Sequence, residues 1–365
     1  MFNVCTLIGE GQQIDHFLNF LAEINYHKWT IIIVSDAKQY LWSNPSKLDL
    51  LKTYGEIIGA AYLLQGCEPS ARKGYIDDYI IEFENHLGFK PKGFFMFMPD
   101  TYLANYMYSI GMTYIHGYCF DQYAIDWMTM RGGWQYPYYA DENHVLKPSK
   151  TKGLVVLPHV IWDWRDSFEI SHQQCSHPAC LKGQYNTTQT AIDYALLMME
   201  NTYKGSSPFG FFTAMSEWGW IGLDAYSINF FKSLIAKASE LGAVPMTNAE
   251  VAEWYINTYN TNPTTRINYT TPFTRKNVEW YFSIDKRVTR YDKTRVVGYV
   301  DYNNQKDDPY LTKPASVNFS GSANDPKNCA DNSLNFVIDD FGDGEYRAPP
   351  KGNSVYYTGD LADFP

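Results

Sequence analysis

The sequence predicts an α/β fold: a seven- or eight-stranded parallel (β/α) barrel over residues 1–258, then a linker and a small antiparallel β-rich domain over 259–365. Three observations carry that expectation. Through the first 220 residues, seven short apolar runs rich in β-branched or aromatic side chains end in a group that can carry or accept a proton or hydrogen bond. Each run is followed by a stretch with helical periodicity, and continuous apolar strands alternating with helices are the pattern of a parallel sheet buried on both faces. After Asn260 the texture changes to short strands split by Asp, Asn, Gly and Pro turns, as expected of an appended antiparallel sandwich or sheet.

In chain order, the runs are residues 2–11 (FNVCTLIGEG, with Glu10), 30–36 (TIIIVSD, ending at Asp36), 60–65 (AAYLLQ) and 93–100 (GFFMFMPD). Residues 112–116 (MTYIH, ending at His116), 153–159 (GLVVLPH, ending at His159, with Asp163 just beyond) and 209–217 (FGFFTAMSE, ending at Glu217) complete them. The helices between are legible. Residues 12–25 set Ile14, Phe17, Leu18, Leu21 and Ile24 on one face. A helix over 46–58 follows the Asn44–Pro45 turn with Ser46 as its cap. Residues 74–87 carry Ile76, Tyr79, Ile80 and Phe83 in register before Gly88, and 102–110 stop at Gly111. Helices over 187–201 and 225–241 follow, then a strand-like AVPM at 243–246 and Thr247 as the cap of NAEVAEWYIN. Residues 261–275 (TNPTTRINYTTPFTR) read as a polar linker, and strands are expected over 278–283, 288–291, 295–302, 316–319 and 334–338.

If the sheet closes into a barrel, the seven polar ends meet at its carboxyl-terminal rim, where such folds keep their chemistry. His116, His159 and Asp163 stand at or just past two consecutive strand ends, and a His beside a carboxylate can act as a base pair or contribute to a metal site. Glu10, Asp36 and Glu217 form a second constellation, because cleavage of a glycosidic bond needs one protonated carboxyl and one ionised carboxylate around a single pocket. Each also has a plainer reading, the histidines as core groups bonded to backbone and the carboxylates as caps of the following helices. Trp134, Trp162, Trp164, Trp218, Trp220 and Tyr138 fall in or beside the loops of the same rim. Aromatic faces there could stack on sugar rings or simply pack long loops.

Composition narrows the partners. Aromatic residues make up 17% of the chain, with 30 Tyr and 10 Trp, which suits sugar stacking or a bulky core. A net charge of −10 with no Lys/Arg cluster argues against nucleic acid. No apolar run is long enough to span a bilayer. The first strand begins at once after Met1, which fits either a cytoplasmic protein or a mature domain cut from a precursor. The Tyr/Asn/Thr-rich texture and the sequons at Asn186, Asn268 and Asn318 favour the second, secreted or at the cell surface. Six cysteines permit disulfides, and Cys175 and Cys180 would bridge most simply to each other. With His172 and His177 they could instead hold zinc, although structural zinc ligands are usually spaced more tightly. P-loop, G-x-G-x-x-G and G-x-S-x-G motifs are absent.

The order of elements resembles the glycoside hydrolase/deacetylase barrel superfamily, which holds the NodB-like polysaccharide deacetylases and related seven-stranded glycosidases. The resemblance is clearest where GFKPKGFFMFMPDTY precedes the step Leu103, Gly111, His116, and where Asp126–Trp127 and Asp163–Trp164 are similar to the Asp-Trp strand of deacetylases. The region also resembles uncharacterised archaeal and bacterial extracellular proteins with an appended β domain. The resemblance implies a carbohydrate-active hydrolase and a glycan as partner. The superfamily's deacetylases carry paired aspartates after the first strand and a His-x₃₋₄-His metal pair after the third. Here those places read Thr6-Leu7-Ile8-Gly9-Glu10 and Leu63-Leu64-Gln65-Gly66-Cys67. The usual divalent-metal ligands are therefore missing, and a metal on Asp36, His116 or His159 has no signature behind it. Two functions are expected from different classes. The first is a glycan hydrolase with Glu217 or Asp36 as acid and Asp163 with His159 as base. The alternative is a catalytically inactive barrel serving as a glycan-binding or cell-surface structural module.

Overall fold

A computed structural model of the chain describes residues 1–61, 69–96, 101–116, 134, 136–158, 182, 187–204, 207–218, 222–270, 277–291 and 295–303. The first half is strand–helix alternation. β1 (Phe2–Ile8) leads through a 3-10 turn to α1 (Ile14–Ile24), and β2 (Trp29–Ile33) to α2 (Ser35–Ser43) and α3 (Pro45–Lys52). β3 (Gly55–Ile58) and β4 (Ala60–Ala61) precede α4 (Pro69–Leu87). β5 (Gly93–Met96), α5 (Thr101–Ser109) and β6 (Tyr114–His116) follow. A hairpin of β7 (Tyr138–Asp141) and β8 (His144–Pro148) is inserted before β9 (Val155–Leu157). α6 (Thr188–Lys204), β10 (Phe212–Glu217), α7 (Ala225–Glu240) and α8 (Asn248–Thr258) close the α/β unit.

The strands form a curled sheet in two hydrogen-bonded segments. One has the order β10-β1-β2-β3 and the other β4-β5-β6-β9-β7-β8, with only Gly59 between β3 and β4. All pairings from β10 through β9 are parallel, and the inserted hairpin adds two antiparallel strands at the far edge. Each of the seven apolar runs thus contributes a parallel strand. Among the described residues no pairing joins β9 to β10, and the strands described form a curled sheet.

Register fixes which side chains share the concave inner face. Cys5 stands beside Thr30, and Thr30 beside Glu56. The Tyr114 hydroxyl reaches over β5 to donate to Glu56 Oε1 at 2.7 Å. Tyr114 can lie there because β5 offers Gly93, where a Cβ would sit 2.0 Å from the tyrosine ring. By the two-residue alternation of strands, Leu7, Glu217, Ile32, Ile58, Phe95, His116 and Leu157 face the same way nearer the carboxyl ends. The outer face carries Phe2, Trp29 and Phe212 under the helices. Trp29 packs edge-on to Phe20 at 6.0 Å and tilted on Phe231 at 5.2 Å, which joins α1 and α7 over β2.

Three expectations change. The helix over 46–58 ends at Lys52, and residues 55–58 form β3 instead. The break is at Gly55, whose φ is +154° and where a Cβ would sit 2.0 Å from the Trp29 carbonyl oxygen, an approach that no side-chain-bearing residue accepts. Asn44 rather than Ser46 is the N-cap of that helix, with Pro45 in its first turn. Finally, the linker over 261–275 contains a strand. β11 (Thr265–Thr270), β12 (Asn277–Phe282), β13 (Lys286–Tyr291) and β14 (Arg295–Asp301) make an antiparallel meander. Its polar alternation, Thr-Arg-Ile-Asn-Tyr-Thr, is that of a sheet with Ile267 as the buried contact. The strands expected over 316–319 and 334–338 lie outside the described residues.

The meander is seated on the α/β unit. Trp134, fully buried, touches Tyr138 of the hairpin and Phe282 of β12, each at 5.8 Å. Asn262 ties the connecting segment to three places. Its Oδ1 accepts from the Tyr139 amide (2.6 Å) and the Tyr255 hydroxyl (2.9 Å), and its Nδ2 donates to the carbonyls of Tyr139 (3.0 Å) and Ser149 (2.8 Å).

Candidate functional site

The spatial order β10-β1-β2 puts three of the expected carboxylates on neighbouring strand ends. Glu217 is the last residue of β10, Glu10 follows β1, and Asp36 stands in the first turn of α2 after β2. Glu217, in register with Leu7, is inward-facing and partly buried, while Glu10 and Asp36 are exposed. Asp36 Oδ2 accepts the Gly11 amide at 2.9 Å, which pulls the β1 and β2 loops together. The preceding residue, Ser35, holds a left-handed φ of +48°, uncommon for a residue with a side chain. Glu10 Oε2 accepts from the side-chain amides of Gln12 (3.3 Å) and Gln13 (2.5 Å).

His116 ends β6 on the inner face and is fully buried. Its Nδ1 lies 2.8 Å from the Leu157 carbonyl. A carbonyl only accepts, so Nδ1 carries the proton. Burial pushes the imidazole pKa down to about 3, against the raising effect of that bond, so the ring is neutral at neutral pH with its basic electron pair on Nε2. His116 thus has the orientation of a positioned neutral imidazole and the low basicity of a core group.

Beside this rim, α2 and α4 enclose a cavity of about 420 Å³ lined by Val34, Ser35, Lys38, Ala60, Tyr75, Asp78 and Glu82, among others. Glu82 holds two partners at once, the Lys38 ammonium at 2.6 Å and the Trp42 indole N–H at 2.7 Å. Sequence reading did not single out this ion pair, because Lys38 and Glu82 are ordinary helix-surface residues until the two helices meet. Tyr75 donates to the Ala60 carbonyl at 3.0 Å and closes the inner wall.

The aromatic candidates divide. Trp218 is 3% exposed and packs edge-on to Phe17 and Phe20 at 5.1 and 5.2 Å, inside the core under α1. Trp134 is buried at the junction with the meander. Tyr138 is buried with its hydroxyl on the Val145 carbonyl at 3.0 Å. None of these three offers a face on which a sugar could stack. A Trp or Tyr next to a strand end gives the same sequence signal whether its ring turns to solvent or to the core. His159, Asp163, Trp162, Trp164 and Trp220 lie outside the described residues, as do Cys175, Cys180, His172 and His177. Cys5 is a buried free thiol that burial pushes up to about 12.

At the opposite, amino-terminal end of the same inner face is a polar cluster the sequence did not announce. Glu56 accepts from Tyr114 at Oε1, and its Oε2 accepts the Ala249 amide at 2.9 Å. Thr30 Oγ1 accepts the Asn248 amide at 2.9 Å, and Asn3 donates to the Met246 carbonyl at 2.9 Å. Thr213 and Cys5 both donate to Asn3 Oδ1, at 2.7 and 2.8 Å. The first turn of α8, with its Thr247–Glu250 capping box, therefore plugs this mouth of the sheet. Removal from water pushes Glu56 up to about 7, partly opposed by the Tyr114 and Ala249 bonds. Glu56 was hidden because its segment reads as the end of a helix.

Among the described residues no three His, Cys, Asp or Glu side chains converge closely enough to hold a metal ion. The described donors therefore do not fit a deacetylase metal centre. No described helix is long and apolar enough to cross a membrane.

Comparison with known proteins gives distant likenesses. A family model described as a domain of unknown function with a solved structure (DUF3863) matches residues 79–163, from within α4 to Asp163. No curated protein matches the chain. Among solved structures, the chain is similar to a Mycobacterium smegmatis protein assigned as a polysaccharide deacetylase, at 12% identity over 72% of this chain and 93% of that one, with a TM-score of 0.44. It is similar to a family 4 carbohydrate esterase from Streptomyces lividans at 11% identity, over 66% of this chain and 89% of that one, with a TM-score of 0.36. An exo-type maltose-forming amylase from Pyrococcus sp. ST04 matches at 11% identity, over 72% of this chain and 50% of that one, with a TM-score of 0.45. At these identities and scores neither a reaction nor a substrate passes from those proteins to this chain.

Proposed function

We propose that the chain is a carbohydrate-active hydrolase that acts on a glycan at the carboxyl-terminal rim of its parallel sheet. The observation that carries this reading is the strand order, which sets Glu217, Glu10 and Asp36 on three adjacent strand ends, with Glu217 facing inward. Glycosidic hydrolysis needs an acid to protonate the leaving oxygen and a carboxylate to activate water or to attack the anomeric carbon. Glu217, partly buried beside apolar Leu7, is assigned the acid role. Asp36 is assigned as its partner carboxyl, held in place by the Gly11 amide. His159 and Asp163, which follow β9 in sequence, stay in the proposal as a base pair. A secreted or cell-surface location goes with this reading.

A second reading has one observation in its favour: Glu10 and Asp36 both spend acceptor capacity on local bonds, as caps and loop ties do. The barrel would then be an inactive module that only binds glycan. Hydrolysis of a panel of plant and bacterial oligosaccharides separates the two. Turnover by the wild type that vanishes in Glu217→Gln, with unchanged melting temperature, supports the enzyme. Equal turnover by Glu217→Gln and wild type overturns the assignment of the acid, and binding without any turnover supports the module.

A further inference from the structure

A second cavity, of about 920 Å³, lies on the other side of the molecule, between α5, the β7–β8 hairpin, the 149–154 loop and the accessory meander. It is remote from the rim along the strands, since the 149–154 loop feeds the amino end of β9 and Ser109 lies just before the amino end of β6. Its volume is at the upper end of those of small-molecule sites, and junctions between domains are where such sites concentrate.

The walls are fixed before any ligand arrives. Asn262 holds the hairpin and Ser149 through the bonds described above. On the facing side the Tyr302 amide donates to the Asp285 carbonyl at 2.8 Å, and the Asn303 side chain to Asp285 Oδ1 at 2.8 Å. Lys150 bridges the two sides by donating to Asn303 Oδ1 at 3.3 Å. Preorganised walls spare a ligand the cost of ordering them.

The lining has a definite chemistry. Lys147, Lys150 and Lys152 project from one short stretch, KPSKTKG, in a chain whose net charge is −10. The acids in the cavity are at the hairpin tip: Asp141 Oδ1 accepts the Asn143 amide at 2.9 Å, and Glu142 is exposed. Lys152 donates to the Ile256 carbonyl at 2.8 Å, which uses one of the three ammonium donors. Tyr108, 47% exposed, presents a ring on the α5 wall, and Asn105, Ser109 and Thr151 add amide and hydroxyl groups. A ring for an apolar sugar face, hydroxyl-binding side chains and several ammonium groups together suit a sugar that carries an acid.

We propose that this junction cleft binds a segment of an acidic polysaccharide, a glycan bearing uronate carboxylates, and anchors the polymer apart from the rim. The inference rests on the glycan reading of the protein only in naming the ligand a glycan, and its test is a binding measurement that needs no turnover. The ammonium groups of Lys147, Lys150 and Lys152 pair with carboxylates two or more sugars apart, and Tyr108 stacks on a ring between them.

The test is titration of the full chain with polygalacturonate and with the same polymer fully methyl-esterified, which keeps the sugars and removes the charge. Saturable binding of polygalacturonate is expected, roughly ten-fold or more tighter than the ester and weakening as salt rises. Lys150→Ala/Lys152→Ala and Tyr108→Ala, all at exposed positions, should each lower affinity by roughly ten-fold while melting as the wild type does. Glu217→Gln should bind as the wild type does, so a failed rim assignment leaves this result standing. Equal binding of polymer and ester, unaltered binding by both cleft variants, or no binding of polygalacturonate at all would each overturn the proposal.

Discussion

The two ends of the inner face of the sheet are both polar, yet they are polar in different ways. At the amino-terminal end, Glu56, Tyr114, Thr30, Asn3, Thr213 and Cys5 bond to one another and to the first turn of α8. At the carboxyl-terminal end, Glu10 and Asp36 are exposed, Glu10 bonded within its own turn and Asp36 to the neighbouring loop, and Glu217 is partly open. A cluster whose members satisfy one another within the fold contributes to stability, whereas groups left at a rim with water access can meet a substrate. The raised Glu56 pKa is therefore no mark of catalysis. It follows from placing a carboxyl under a helix terminus inside the sheet.

The strongest way to break that contrast is to exchange the effects of the two glutamates. Glu217→Gln should lower glycan hydrolysis by roughly 100-fold or more with little change in melting temperature. Glu56→Ala should do the reverse. It leaves the Tyr114 hydroxyl and the Ala249 amide without their acceptor, at a cost of about 1–3 kcal/mol in denaturant unfolding, with turnover per folded molecule unchanged. If Glu56→Ala instead abolished turnover without destabilising the fold, the two ends would have been assigned the wrong way round.

A subtler contrast is in pH. Folded Glu56 keeps its proton up to about 7, while an unfolded glutamate releases it near roughly 4.3. The folded state binds more protons between those values, so the stability from Glu56 is complete below the lower one and is lost as pH rises through the upper. His116 has the opposite sign. Its folded pKa of about 3 lies below the roughly 6.5 of an unfolded histidine, so its contribution is present above the higher value and lost as pH falls. The two windows overlap between roughly 4.3 and 6.5, where the opposing effects cancel, so unfolding free energies should be nearly flat there and fall on either side, and Glu56→Gln should remove the decline on the neutral side. An unchanged decline would mean that Glu56 titrates alike in both states.

The smallest expected effect is at Asp36. Replacing this exposed side chain with Ala takes the acceptor from the Gly11 amide, in a part-buried bond, for about 0.5–1.5 kcal/mol. A larger loss would move Asp36 from the rim's chemistry to its architecture.

How much of this was legible in the sequence differs by element. The parallel strands were, because stretches such as Ile31–Ile33 and Phe94–Phe95 are apolar on both faces and leave no other home for the segment. The Thr247 cap of α8 was, since a cap acts within one turn, whereas its Glu250 partner in the capping box came from the structure. β3 was not, because Leu-Leu-Lys-Thr-Tyr-Gly-Glu-Ile-Ile keeps helical spacing and only Gly55 marks the change. The rim carboxylates were legible as strand ends, but their adjacency needed the order β10-β1-β2. The inward turn of Trp218 and Trp134 depends on partners such as Phe17 and Phe282, more than 140 residues away in each case. No local pattern encodes that.

The Asn262 bonds bear on where the chain can be severed. The sequence places the start of the linker and accessory region at residue 259, directly after α8, yet the Tyr139 amide and the carbonyls of Tyr139 and Ser149 find a partner three residues further on. An α/β fragment ended at Thr258 would strip an acceptor from one buried amide and a donor from two carbonyls, and would fray at the hairpin. One ended after Pro263 would keep them. A cut that keeps these bonds therefore falls inside the linker, a few residues beyond the point where the composition changes.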